Sequence, residues 1–303
     1  METAIISGKG GTGKSCVAAA FASLVSPVVL ADCDVETANL FLLFDPLPEE
    51  TQVFSGGRSA HIDRSLCTNC GLCMEYCRFD AIQLSDGQVA IDEANCEGCG
   101  LCSRVCPRQA IAMVNNDRSR LYSGSFRHGQ MVYARLAPGE DNSGKLVGLV
   151  REKASSIALA KQVEDILIDG PPGIGCPVMS AITGVDRVVI VTEPSMSGLL
   201  DLQRVLEVVN GFGPRTWVIL NKYDLHPAMA RKIESFCRKS GTAFAGKLPF
   251  DPLVPEAMVH CKSIIEWAPH SRFARELKKI WNTITNQTDN NLWKHKTRVS
   301  TPD

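Results

Sequence analysis

Eight of the 13 cysteines in this 303-residue chain lie between Cys67 and Cys106, and they arise from a duplication. SLCTNCGLCMEYCRFDAI (65–82) matches ANCEGCGLCSRVCPRQAI (94–111) residue by residue, at a period of 29. A repeat of fixed period is one structural unit used again, so it limits the folds open to the stretch that carries it. Composition sets that stretch apart as well. Residues 61–113 hold no Lys, and seven acidic against four basic residues. The chain starts METAIISGKGGTGKS, with three apolar residues between Thr3 and Ser7, which reads as lacking a secretory leader. Many cysteines in a cytoplasmic setting are expected to bind metal rather than to form disulfides.

On either side of the repeat lie apolar runs of strand length: TAIIS (3–7) and VVLAD (28–32) before it, ILIDG (166–170), VVIVTE (188–193) and TWVILNK (216–222) after it. Helical stretches such as Ser15–Leu24 separate them. Alternation of this kind predicts an α/β fold with a doubly wound, mostly parallel sheet covered on both faces. The expected domains are a discontinuous α/β unit over 1–60 and 114–285, a small α+β insert over 61–113, and a polar tail over 286–303. EDNSG (140–144) reads as a linker. Phe273, Leu277, Ile280, Trp281 and Ile284 share one helical face, which predicts a terminal helix packed on the core. Net charge -1, from 32 basic and 33 acidic residues, excludes a nucleic-acid binder working by general basicity. No apolar run reaches the ~18–20 residues of a membrane span, so no membrane association is expected.

Gly8-Lys9-Gly10-Gly11-Thr12-Gly13-Lys14-Ser15 satisfies G-x-x-x-x-G-K-[ST] between a strand and a helix. Glycines let the backbone wrap phosphates so that successive N–H groups point inward at a helix N-terminus. Gly8, Gly10, Gly11, Thr12, Gly13, Lys14, Ser15 and Cys16 are the candidate nucleotide contacts. Lys14 would reach the β/γ-phosphates, and the Ser15 hydroxyl would ligate Mg²⁺. The six His are isolated and no Ser stands in an elbow motif, so no nucleophile–base set for other chemistry is visible.

Each cysteine run has the C-x2-C-x2-C-x3-C spacing of bacterial ferredoxins, in which the fourth Cys ligates the other cluster. One [4Fe–4S] cluster is therefore expected on Cys67, Cys70, Cys73 and Cys106. The second is expected on Cys96, Cys99, Cys102 and Cys77. Zinc held by CxxC pairs is the plainer alternative, and it leaves the x3-Cys spacing without a reason. Gly71 and Gly100 stand where a side chain would crowd a cluster. Arg78 follows Cys77 where many ferredoxins have Pro, and puts a positive charge near the second cluster. The other five cysteines (Cys16, Cys33, Cys176, Cys237, Cys261) read as small buried hydrophobes.

The second lysine in GKGGTGKS, Lys9, resembles the signature of the deviant Walker A loop of the MinD/ParA/Mrp and nitrogenase iron-protein group of P-loop ATPases. The resemblance implies that Lys9 reaches across a dimer to the partner's nucleotide. Further motifs come in the family's order. Asp32-Cys33-Asp34 and Asn39-Leu40 resemble its DxD segment, which puts orientation of the attacking water on Asp34 and a magnesium-bound water on Asp32. Asp169-Gly170-Pro171-Pro172-Gly173 is similar to its switch II, making Asp169 an outer-shell Mg²⁺ partner and Gly173 a γ-phosphate sensor. Asn221-Lys222-Tyr223-Asp224 and Pro249-Phe250-Asp251-Pro252 resemble the base-recognition loops, with Asn221, Pro249 and Phe250 as contacts. The NKxD pattern also occurs in guanine-specific GTPases, so ATP is favoured with GTP open. Glu140-Asp141-Asn142-Ser143-Gly144-Lys145-Leu146 is similar to a block in ferredoxin-bearing members, with an exposed loop as the plain expectation.

The whole chain to about residue 286 thus resembles a MinD-type ATPase with an inserted two-cluster ferredoxin domain. The resemblance implies a nucleotide-dependent homodimer, or a heterodimer with a related ATPase. Its Mg²⁺-dependent ATP hydrolysis is expected to be slow and partner-stimulated. The expected role is a switch that presents the insert to a metallocofactor or redox partner protein, in iron–sulfur or metallocofactor assembly or electron delivery to it. The alternatives are ATP-gated electron transfer in the manner of nitrogenase iron protein, and a positioning ATPase at a membrane or on DNA.

Overall fold

In the computed structural model, which describes residues 1–137, 140 and 142–286, the apolar runs become strands buried on both faces. β1 (Glu2–Ser7) leads through the glycine-rich loop into α1 (Lys14–Leu24), and β2 (Val28–Asp32) follows. α2 (Leu40–Phe44), β3 (Leu47–Phe54) and β4 (Arg58–Ile62) bring the chain to the cysteine repeat. The repeat contributes α3 (Leu72–Glu75), β5 (Ile82–Ser85), β6 (Gln88–Ile91), α4 (Leu101–Val105) and β7 (Ile111–Asn115). The chain returns through β8 (Ser119–Phe126) and β9 (Gly129–Arg135) to α5 (Ser143–Lys161) and β10 (Ile166–Pro172). α6 (Cys176–Ile182), β11 (Arg187–Thr192), α7 (Met196–Asn210), β12 (Arg215–Leu220), α8 (Pro227–Lys239) and β13 (Ala243–Lys247) alternate after it. α9 (Leu253–Val259), α10 (Ile264–Trp267) and α11 (Arg272–Asn286) close the described chain.

Among the described residues the main sheet has nine strands in the order β13-β12-β11-β1-β10-β2-β9-β8-β3. Pairings from β13 to β9 are parallel, whereas β9–β8 and β8–β3 are antiparallel. Alternate residues of each central strand serve opposite cores, which is why those strands read as unbroken apolar runs. Ala4 and Ile6 pack with α5–α8, and Ile5 packs with α1, α10 and α11. The expected terminal helix is α11. It buries Phe273, Leu277, Ile280 and Ile284 and sets half-buried Trp281 4.7 Å from the ring of Phe21. The polar tail from 287 onward lies outside the described residues.

The repeat folds apart from the large sheet. β4 pairs antiparallel with β7, β5 pairs with β6, and a small core of Ala60, Ile62, Cys73, Ile82, Val89 and Ile111 lies against Cys67, Cys77, Cys96, Cys102 and Cys106. Three readings of the sequence need correction. The β8–β9 hairpin and the edge strand β3 extend the sheet where no strand was expected. The stretch expected to be a linker is structured where it is described, since Glu140 is buried and Ser143 opens the 19-residue helix α5. Of the five scattered cysteines only Cys33 and Cys237 are buried, while Cys176 and Cys261 are exposed and Cys16 is intermediate.

Candidate functional site

The parallel register sets the chemistry. Ile5 of β1 aligns with Asp169 of β10, and Asp169 aligns with Asp32 of β2, so the glycine-rich loop and two carboxylates share the carboxyl edge of the sheet. A cavity of about 450 Å³ opens there, lined by Gly10 through Cys16 together with Asp34, Asn221, Pro249 and Phe250. Ser7, Thr37, Asn39, Pro172, Lys222, Asp251, Val254, Pro255, Met258 and Phe273 complete the wall, beyond the contacts that the motifs single out. Gly8 and Lys9 do not line it.

Lys14 Nζ lies 2.7 Å from Asp169 Oδ1 and 3.5 Å from Asp34 Oδ2. Burial alone would lower the lysine pKa, but the charges of Asp169 and Asp34 outweigh it and raise it. Burial also raises both Asp32 and Asp169, each further raised by a neighbouring carboxylate, with Lys14 opposing. Asp32 accepts N–H groups from Asp34, Asn39 and Leu40, which holds the DxD loop in place. Three carboxylates thus face one lysine. One oxygen of Asp169, Oδ2, is buried without a hydrogen-bond partner among the described residues. That surplus of negative charge and the orphan oxygen fit a divalent cation beside the Ser15 hydroxyl.

Lys9 is turned away from the cavity onto its own chain. Its Nζ lies 2.6 Å from Glu193 Oε1 and donates to the Ser197 and Ser195 hydroxyls at 2.8 and 3.1 Å. Burial would raise the Glu193 pKa, but the Lys9 hydrogen bond and charge prevail and lower it. Glu193 and the two serines follow β11, and no motif marked them. In the chain alone the Gly173 N–H donates to the Ser7 carbonyl at 2.8 Å, which ties the loop after β10 to the start of the glycine-rich loop. At the base end Asn221 Nδ2 donates to the Thr12 carbonyl at 2.8 Å. Asp224 does not line the cavity, and its Oδ1 accepts the Phe250 N–H at 2.7 Å. Cys16 packs its sulfur 3.2 Å from that of Met258, and burial pushes its thiol up to about 11, so it is a neutral wall residue.

The insert brings its eight cysteines together as two sets. Cys67, Cys70, Cys73 and Cys106 line one void, and Cys77, Cys96, Cys99 and Cys102 line another. Three of each set come from one run and the fourth from the other. No three His, Cys, Asp or Glu among the described residues stand close enough to grip a single ion. Four thiols spaced around a void fit a cubane better than zinc. Gly71 and Gly100 both adopt left-handed φ (79° and 72°) at the start of α3 and α4, so their need for glycine is conformational before it is steric. Cys70 and Cys99 are exposed, so each void reaches the surface. Arg78 stands 5.8 Å from the ring centre of Phe79, a residue lining the second void.

Known proteins resemble both parts of the chain. A family model described as a 4Fe-4S dicluster domain matches residues 60–113. The chain is 35% identical over 225 residues to the protein MJ0578 of Methanocaldococcus jannaschii, covering 73% of this chain and 78% of that one. It is similar in fold to the cell division ATPase MinD of Pyrococcus furiosus (TM-score 0.56, 20% identity, 94% of this chain and 98% of that one). The septum site-determining protein MinD of Pyrococcus horikoshii, solved with Mg-ADP, is equally similar (TM-score 0.56, 20% identity, 95% and 97% covered).

Proposed function

The chain belongs to the family of M. jannaschii MJ0578 and itself has a MinD/ParA-type P-loop fold carrying a 4Fe-4S dicluster domain, and from that premise we propose that it is a dimeric, ATP-hydrolysing switch whose nucleotide state governs how a two-cluster insert meets a metallocofactor or redox partner. One observation carries the reading: a phosphate-loop cavity and two four-cysteine voids stand on a single chain. In it, the backbone N–H groups of Gly10–Cys16 and the Lys14 ammonium bind the phosphates. Asp34 orients the attacking water, and Lys9 leaves Glu193 to meet the nucleotide of a second subunit. Mg²⁺ held by Ser15, with Asp32 and Asp169 behind it, would offset the charge developing on the phosphates. Cys67, Cys70, Cys73 and Cys106 would hold one cluster and Cys77, Cys96, Cys99 and Cys102 the other, which would supply one-electron chemistry. Adenine is the favoured base, because the Asp224 carboxylate that would pair with guanine is occupied by Phe250 N–H outside the cavity.

The test is anaerobic purification followed by three measurements: iron content, ATP hydrolysis, and dimerisation with ATP and Mg²⁺ by light scattering. The reading expects about eight iron atoms per chain, from two four-iron clusters, with hydrolysis and ATP-dependent dimers. Full iron without ATP binding would leave a ferredoxin on an idle scaffold and end the switch reading.

A further inference from the structure

The insert leaves the P-loop unit through two adjacent chain segments. Arg58 of β4 pairs with Asn115 of β7, and just below them the Asn116 N–H donates to the Gly57 carbonyl at 2.9 Å. A buried carboxylate holds the returning segment. Glu140 accepts the backbone N–H groups of Arg118 (2.9 Å) and Ser119 (3.2 Å) and the Ser119 hydroxyl. Arg118 in turn lies 3.6 Å from Glu140 and 3.5 Å from Glu93, three residues before Cys96. Asn142 holds the outgoing segment, its side-chain amide donating to the Gly56 carbonyl.

Described residues on either side of Glu140 and Asn142 touch both loops that would respond to nucleotide. On one side, the Leu136 N–H donates to the Val35 carbonyl at 3.0 Å, one residue beyond Asp34. On the other, Gly144 in the first turn of α5 meets α6 with no room to spare, since a Cβ there would stand 3.3 Å from Cys176 Cβ. Cys176 begins α6 three residues after Gly173. A shift of residues 173–176 therefore has to move the start of α5 or open a gap, and packed interiors resist gaps. A carboxylate with three donors resists release too, because losing them strands a buried charge.

We propose that Glu140 and Asn142 are positioning residues that transmit the state of the nucleotide loops to the neck of the insert, and so set how the cluster-bearing unit is presented. Glu140 acts on the returning segment and Asn142 on the outgoing one, so the neck moves as a pair. The inference rests on the switch reading above and gives that reading its mechanical route. Contacts of this kind can carry coupling between distant sites, and coupling itself is measured by difference.

The experiment uses the full-length, iron-loaded protein, kept anaerobic, with Mg-ADP or with Mg²⁺ and a non-hydrolysable ATP analogue. Two differences between these states are recorded: amide exchange over 57–62 and 111–118, and the electron paramagnetic resonance spectrum of the reduced clusters. In the wild type the analogue should change exchange at the neck about tenfold, a shift of about 1.4 kcal/mol in a local opening equilibrium, and should alter the spectrum. Glu140→Gln should keep iron content, nucleotide affinity and dimerisation while losing both differences, and Asn142→Ala should lose most of the exchange difference. If Glu140→Gln fails to load iron, Asn142→Ala decides alone. Variants that keep the full wild-type differences overturn the coupling role and leave the switch reading standing. A wild type that binds the analogue and dimerises without either difference overturns both.

Discussion

Lys9 and Lys14 stand on one loop, yet different physics holds each. Lys9 is part-exposed and paired with part-exposed Glu193, and such pairs contribute about 0–1 kcal/mol. Leaving Glu193 for a phosphate therefore costs little, and a charge-assisted bond to phosphate outweighs it. Lys14 is buried against Asp169, whose carboxylate is fully enclosed. Removing one partner of a buried pair leaves the other uncompensated, at about 3–5 kcal/mol. Two expectations follow from that contrast. Lys9→Ala should unfold in urea within about 1 kcal/mol of wild type and bind nucleotide nearly as well, but no longer dimerise with ATP. Lys14→Ala should lose nucleotide binding by titration calorimetry and be destabilised by about 3 kcal/mol. Normal ATP-dependent dimers of Lys9→Ala would show that its bond to Glu193 is its whole role.

Elements were legible in proportion to how local their causes are. The phosphate loop and the two cysteine runs announce themselves because the residues that define each motif lie within a few positions of one another, even where the contacts they make are distant. The central strands were legible because burial on both faces leaves an unbroken apolar run. β3 was not, since LPEETQVF is exposed at all but its last residue and carries no apolar pattern. β8 was missed for the opposite reason, its SRLYSGSF holding buried Ser119 and Ser123 where apolar residues were sought. The crosswise arrangement of the insert makes a sharp prediction. Cys77→Ser should disturb the same paramagnetic signal as Cys96→Ser, and Cys106→Ser the same signal as Cys67→Ser. A signal shared by Cys77→Ser and Cys67→Ser would assign the ligands wrongly. A second element-level device is the clamp at α10. Glu266 closes a capping box with Ser263 and also receives Arg127 (2.5 Å) and His128 (2.9 Å) from the β8–β9 turn. Burial would raise its pKa, but hydrogen bonds from Arg127, Ser263 and His128 prevail and lower it to about 2. A depressed carboxylate stabilises fully above its unfolded pKa, and that contribution is lost as pH falls through the folded value. Glu266→Gln should therefore cost about 2 kcal/mol near neutrality, with the gap to wild type closing between about pH 4.5 and 2. Trp217, Trp267 and Trp281 all lie outside the insert, so unfolding followed by their fluorescence reads this unit. A gap constant down to pH 2 would exclude the clamp as its source.

At the scale of the whole molecule, what the sequence hid is long-range. Nothing near Lys9 points to Glu193, and nothing near Glu140 points to Ser119, because those partners meet only once β11 and β8 are in place. The elements beside Lys9 also leave apolar side chains exposed. Met196 (55% exposed), Leu200 (48%) and Ile174 (45%) are all unburied, and Met196 lies between the two serines that hold Lys9. Met196 and Leu200 are four residues apart on α7, hence on one face, and Ile174 follows Gly173 in the loop before α6. The exposed Met196 and Leu200 on the helix that begins beside Lys9, a lysine expected to cross an interface, are what a closing dimer would cover. Standard interfaces bury about 800 Å² per partner, with most of the energy in a few central side chains. Placing a carboxylate at that centre should therefore outweigh the rest of the contact. Met196→Asp should bind ATP as tightly as wild type and keep its iron, yet stay monomeric with ATP by light scattering, and its hydrolysis should fall to the rate of the isolated subunit. Leu200→Glu should behave alike, whereas Leu159→Glu, on α5 and 84% exposed, should dimerise normally. Should Leu159→Glu block dimerisation and Met196→Asp spare it, the subunits would meet through the α5 face, and Lys9 could not reach a second nucleotide.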